Sequence, residues 1–342
     1  MTNSARKLAP GLAPGLARAL AIALAALLWM PASAVAERVA IPFRATAGDT
    51  FGIRVTKHIN NVENGTTTET ANVILEYDGE VLRASESGYR MRWTMRSARL
   101  PGSEADNAAI ETSSLSVMKG IPFEFDTTAE GTPVRITNLD EIMPQILDAN
   151  RRALKEGGRE PTDEVMATVE KSFRAMAPAQ AAQTFLPEAT VLGSTQGLRM
   201  DTDTPERIEA EAPATVPNVT IKTVTQRRLQ SYDRLQGWAV FTWELGFDPK
   251  SARDAAAATV RAMAPDDQSS ESGTGNKAKD EMSAVMQQLS LDRKDTGQAI
   301  ISLADGWTRK VYTHRRVVSS SHDQVVDHTE WWLIEINRRT KK

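Results

Sequence analysis

Apolar residues fall at every second position over several stretches of this chain, the spacing of a strand with one buried and one wet face. Phe51, Ile53, Val55 and Ile59 share one parity, and Ala71, Val73, Leu75 and Tyr77 repeat it. In the next stretch Tyr89, Met91, Trp93 and Met95 alternate with Arg90, Arg92, Thr94 and Arg96. Asn64-Gly65 lies between the first two stretches and Asp78-Gly79 after the second. Both dipeptides accept the positive φ angles of tight hairpin turns. The pattern predicts an antiparallel meander, extended by strands at Leu115 to Met118, Ile121 to Asp126 and Val134 to Thr137, with Glu130-Gly131 at a turn.

From Leu139 to Phe185 the period lengthens to about 3.6 residues. It is carried by Ile142, Ile146 and Leu147, then by Val165, Val169, Phe173 and Met176. Gly157-Gly158 divides this block and Pro161 suits a helix start, so at least two helices are expected. Asp201 to Pro217, rich in Pro and acidic residues, reads as a connector. Strands resume at Val219: Ala239, Phe241, Trp243, Leu245 and Phe247 share a parity, followed by Ala299 to Leu303, Trp307 to Val318 and His328 to Asn337. Ser251 to Ala264 and Lys279 to Leu289 read as helices around Pro265 to Lys277, whose Ser, Gly and Asp content predicts a mobile loop. Each strand group has a long strand opening on Gly plus an aromatic, Gly88-Tyr89 and Gly237-Trp238, and closes on a hairpin around Gly131 or Gly306. A diverged internal duplication and a chance likeness of two amphipathic meanders both account for this.

The 342 residues are 41% hydrophobic and 25% charged and include no Cys, the profile of a globular chain. Residues 1–36 read as a secretory signal. Arg6, Lys7 and Arg18 lead into the apolar run Ala19 to Met30, and Ala34-Val35-Ala36 is a small-residue pattern with cleavage expected after Ala36. The run is too short to span a bilayer, so no membrane anchor is expected after its removal. Residues 37–342 are then expected as a single domain in the periplasm, or secreted. Loss of the signal removes three basic residues and no acidic ones, taking the formal net charge from −3 to −6. That balance argues against nucleic acid as a partner. The absence of Cys removes disulfides, thiol catalysis and thiolate metal sites.

Strands, helices, strands, a helical insert and strands again do not make a βαβ alternation, so the class expected is α+β on an antiparallel sheet. The expected form is a curved sheet, a half-barrel of one or two pseudo-repeats, wrapped around helices. Its first strand group is 37–138, the helical block 139–185, the connector 186–218 and the second strand group 219–342, with a helical insert at 251–289. With the export signal, the hairpin from Phe123-Glu124-Phe125-Asp126 to Gly131, and Leu186-Pro187 ahead of Val191-Leu192-Gly193, the chain resembles the LolA/LppX-like half-barrels, bacterial envelope carriers of lipids and lipoproteins. It also resembles uncharacterised exported bacterial proteins expected to share that fold. The resemblance covers the mature chain as strand order. It implies an acyl-chain ligand held between sheet and helices, and it transfers no specific binding residue; the missing lipidation cysteine agrees with the soluble members.

The sequence holds no Gly-x-Ser-x-Gly elbow, His-Glu-x-x-His, P-loop or dinucleotide fingerprint, and no catalytic residue or cofactor is expected. His322, His328, Asp323 and Asp327 have ligand chemistry for zinc. Ser319 to Asp323 also has the composition of a hairpin turn, the simpler reading, so no metal site is assigned. The same turn offers Ser, His and Asp, but neighbours on a turn rarely reach triad geometry. Arg90, Arg92 and Arg96, with Arg309, Lys310, Arg315 and Arg316, form either a basic stripe for anionic headgroups or an acidic partner, or a solvated face. Trp93, Trp238, Phe241 and Trp243, with Met143 and Met166 on the helices, are the candidate lining of an apolar cleft between sheet and helices. Trp331 and Trp332 complete the aromatic set, for which core packing is the default reading. Three functions follow: non-enzymatic binding of an apolar or amphiphilic ligand, a lipid or lipidated partner; a fully packed structural or interaction module of the envelope; and, third, a hydrolase.

Overall fold

The computed structural model describes residues 38–102, 118–156, 158, 160–202, 204–213, 219–263, 290–321 and 324–339. Outside them lie residues 1–36, read above as a signal, the strand start expected at 115–117, the loop expected at 265–277, the helix expected at 279–289, and His322 and Asp323. Strand β1 (Arg38–Ile41) pairs with β7 (Leu198–Asp201) in a sheet of their own. Eleven strands make one antiparallel sheet. Its order is β6 (Pro133–Ile136), β5 (Pro122–Thr127), β4 (Gly88–Arg99), β3 (Thr66–Ser85), β2 (Thr50–Glu63), β13 (Gln324–Arg339), β12 (Thr308–Ser321), β11 (Ser290–Ser302), β10 (Trp238–Phe247), β9 (Thr220–Asp233) and β8 (Glu206–Pro213). The sheet is curved and open, with β6 and β8 as its edges. Five helices among the described residues complete an α+β fold: α1 (Leu139–Glu156), α2 (Asp163–Arg174), α3 (Pro178–Phe185), α4 (Pro187–Gly193) and α5 (Pro249–Met263).

The period-two stretches become strands because one parity is apolar enough to be covered. Phe51, Ile53, Val55, Val73, Leu75, Tyr77, Tyr89, Met91, Trp93 and Met95 are all buried on one face, hereafter the inner face. Each such side chain contributes about 1.5–3 kcal/mol when fully buried. Asn64 and Gly65 both have positive φ, 48° and 80°, and form the tight turn between β2 and β3. Asp78-Gly79 does not turn. It lies inside β3, paired with Gly52 and Phe51, and the glycine is required there because the Phe51 ring lies where a Cβ would stand, 2.2 Å from its Cε2.

The helices cover the inner face. Phe185 of α3 stacks on Phe123 of β5 at 6.0 Å and meets Phe173 of α2 edge-on at 5.1 Å. Ile142, Met143 and Ile146 of α1 and Met166 of α2 are buried. Helix α5 sets Ala252 and Ala255 against Ile221, with Phe247 beside them.

The supposed connector 186–218 contains α4, β7 and β8. Its acidic, Pro-containing sequence resembles a linker because β8 is an edge strand, and charged residues such as Glu206, Arg207, Glu209 and Glu211 keep an edge from pairing with another chain.

Candidate functional site

The cleft residues read from the sequence are mostly core. Trp93, Phe241, Met143 and Met166 are buried, so at these positions side chains of the protein itself fill the space between sheet and helices. A crevice bordered by Val39, Ile41, Leu198, Leu229 and Phe241 has no room for a water-sized molecule. Trp238 is half-buried at the start of β10 and donates its Nε1–H to Gln236 Oε1 at 2.8 Å. Trp243, also half-buried, lies across Gly297, whose missing Cβ would stand 2.1 Å from Cζ2 of the indole.

Register places a polar belt on the inner face beyond this core. Paired residues of an antiparallel ladder share a face; one such row is Lys57, Trp332, Thr313, Gly297, Trp243 and Arg227. Lys57 Nζ lies 2.5 Å from Glu188 Oε1 of α4, with both side chains largely buried, and 4.1 Å from the centre of the Trp332 ring. Burial, reinforced by the charge of Glu188, pushes the Tyr77 hydroxyl well above its ordinary pKa. Further along, Asp295 accepts from Arg293 at 2.6 Å and from Arg315 at 3.2 Å. At Arg227 burial lowers the pKa against the attraction of Glu206.

The other face carries a groove. The next row along the strands is His58, Trp331, His314, Thr296, Glu244 and Gln226, and the row on its other side is Thr56, Leu333, Tyr312, Gln298, Thr242 and Arg228. All twelve border a groove of about 800 Å³; Trp332, Thr313, Gly297, Trp243 and Arg227 of the row between them also border it, whereas no residue of the inner rows on either side of that row does. The groove is therefore on the outer face, away from the helices. It crosses six strands, about 24 Å at the usual spacing of roughly 4.8 Å. Its walls are mainly apolar, and Trp331 and Tyr312 expose 42% and 45% of their surface there. Trp331 is held between two imidazoles, stacked on His314 at 5.0 Å and tilted against His58 at 5.1 Å. His58 is fixed in turn by Asn72, 2.6 Å from its Nδ1.

The sequence holds one signal for this groove. Trp331 and Trp332 are adjacent in a strand and so must face opposite sides; Trp332 is 7% exposed and takes the inner place, leaving Trp331 outside.

Most of the basic stripe is neutralised in place. Arg90 pairs with Asp126 at 2.9 Å, Arg92 with Glu124 at 2.7 Å, Arg96 with Glu76 at 3.2 Å, Lys310 with Glu335 at 3.2 Å and Arg316 with Asp327 at 2.7 Å. Arg309 has no ion-pair partner among the described residues. Of the residues considered for metal binding, Asp327 is held by Arg316, while His328 contacts Asn61 through Nδ1 and Glu330 through Nε2 at 3.0 Å.

No family model matches the sequence, and no curated protein matches it. Among solved structures the chain is similar to lipovitellin, from a study of lipid–protein interactions, with TM-score 0.39 and 10% identity over 87% of this chain and 26% of that one. The chain thus spans about a quarter of the lipovitellin chain. It is also similar to an outer membrane channel from Pseudomonas putida F1, with TM-score 0.15 and 8% identity over 86% and 98% of the two chains, and to OccK11 (OpdR) of Pseudomonas aeruginosa, with TM-score 0.20 and 8% identity over 87% and 100%. At such TM-scores these likenesses assign neither a fold family nor a function.

Proposed function

We propose that this protein binds an elongated amphiphilic molecule, a lipid or the acyl chain of a lipidated partner, along the outer-face groove and without catalysing a reaction. The observation that carries the reading is the groove itself: about 800 Å³, mainly apolar, with Trp331 and Tyr312 exposed in it. Its volume is in the range of small-molecule sites, roughly 300–1,000 Å³. Although most of its outer-face residues are polar, the surface they present is mainly apolar, with Trp331, Tyr312 and Leu333 among His58, His314 and the aliphatic parts of Thr, Gln, Glu and Arg side chains. A length of about 24 Å suits an extended acyl chain better than a compact solute. This differs from the site between sheet and helices that the LolA/LppX-like resemblance implies. An envelope location, as the N-terminal segment suggests, would give such a protein its lipids.

The test is calorimetric titration of the purified protein with dodecanol, an uncharged chain. Saturable binding is expected, weakened at least about tenfold in Trp331→Ala, which removes the exposed aromatic wall, and in Leu333→Asp. Absence of binding to the wild-type protein, or equal binding by both variants, would overturn the reading.

A further inference from the structure

A second pocket, of about 670 Å³, adjoins the groove. Arg54, Glu335 and Lys310 are paired across β2, β13 and β12. They lie on the outer face two residues along the strands from Thr56, Leu333 and Tyr312 of the groove, a step of about 7 Å. Lys310 joins the two sites, with Nζ 5.1 Å from the centre of the Tyr312 ring.

The pocket also takes Arg309, Arg338 and Asp305 into its lining. Register explains how Arg309 arrives there. Ile300 pairs with Lys310 and Ile301 with Thr308, so Arg309 is the extra residue of a β-bulge with nothing opposite it. Bulges re-aim a side chain that strict alternation would have placed elsewhere.

The pocket's two acids are occupied. Glu335 pairs with Lys310 at 3.2 Å, and Asp305 accepts from Arg338, which also reaches Asp49 at 3.1 Å. Arg54 and Arg309 have no ion-pair partner among the described residues. Two guanidiniums without an ion-pair partner among the described residues therefore line one pocket beside an edge of the groove, and the guanidinium fork suits bidentate binding of phosphate or carboxylate oxygens.

We infer that this pocket is the headgroup site of the amphiphile in the groove, selecting a chain that ends in a phosphate-type anion, with Arg54 and Arg309 as its ligands. The inference rests on the groove reading and adds the class of head that the ligand carries.

The test compares dodecyl phosphate with dodecanol in the same titration. Dodecyl phosphate is expected to bind at least about tenfold more tightly, the size of one charge-assisted hydrogen bond. The double variant Arg54→Gln/Arg309→Gln should erase that advantage while leaving dodecanol binding unchanged. Arg228→Gln, a cation at the β9 end of the groove, should preserve it. Raising the salt concentration should weaken the phosphate and not the alcohol. Equal binding of the two probes, or an advantage that survives the double variant, overturns the headgroup site and leaves the groove standing. Loss of the advantage in Arg228→Gln alone moves the anion to the other end and overturns it as well. Failure of dodecanol and dodecyl phosphate alike removes the groove and the headgroup site together.

Discussion

Lys57 and Glu188 form the ion pair that ties α4 to β2 across the inner face, and removing either partner should be among the costliest single changes in the protein. The side chains are 13% and 5% exposed and their charged atoms 2.5 Å apart. Breaking a buried pair by deleting one member typically costs about 3–5 kcal/mol, because the other charge stays desolvated. Lys57→Met also forfeits the contact with the Trp332 ring, worth about 1 kcal/mol. The expected loss is then about 4–6 kcal/mol for Lys57→Met and about 3–5 for Glu188→Gln, against a total stability of about 5–15 kcal/mol for ordinary domains. The double variant Lys57→Met/Glu188→Leu leaves no unpaired charge and keeps similar volume, but it takes the Glu188 hydrogen bond from the buried Tyr77 hydroxyl, so it should return to within about 1–3 kcal/mol of wild type. Urea unfolding followed by tryptophan fluorescence measures all three, with an unchanged slope as the check that midpoints report stability. If each single substitution cost less than about 1 kcal/mol, or if the two losses simply added in the double variant, the pair would not be the desolvated unit inferred from its burial.

Other consequences are narrower. The hydrogen bond from Arg90, supported by Arg135, holds the Asp126 carboxyl below its ordinary pKa. A depressed native value means stability present above the unfolded pKa of about 3.9 and lost as pH falls through the native one, so Asp126→Asn should flatten the unfolding midpoint's decline below about pH 4. Tyr77 runs the other way: its raised native value leaves stability complete below about pH 10 and lost at higher pH, and Tyr77→Phe should remove part of that alkaline loss in the same assay. Gly297→Ala would drive a methyl into the Trp243 indole and should cost about 1–3 kcal/mol by overpacking, whereas an unchanged urea midpoint would show that the indole moves aside freely.

Much of the fold is legible in the order of residues, because parity is a local property. Tyr89 to Met95 and Phe241 to Trp243 announce which side is covered before anything is known of what covers it. Misreadings arise where a distant residue decides. Asp78-Gly79 has the composition of a turn, yet its glycine exists for the Phe51 ring on the neighbouring strand. Residues 206–213 resemble a linker because the demands on an edge strand and on a loop select the same charged side chains. The site is less legible than the fold. Which of Trp331 and Trp332 faces inward depends on a register shared by six strands, and the release of Arg309 from alternation depends on a bulge that its own sequence does not mark.

The pairing of β13 with β2 sets the timetable of assembly. As the chain is made, β2 to β6 can form local hairpins early, and β8 to β12 can do so later, but the ladder joining the two meanders waits for β13. Until then β2 presents a free row of amides and carbonyls fourteen residues long, open to any other chain that offers a strand. Closing the seam carries the loop entropy of nearly the whole domain, a hallmark of slow folding. Loss of β13 would therefore leave two unjoined meanders with sticky margins, so the docking of β13 is the step at which productive folding and aggregation part.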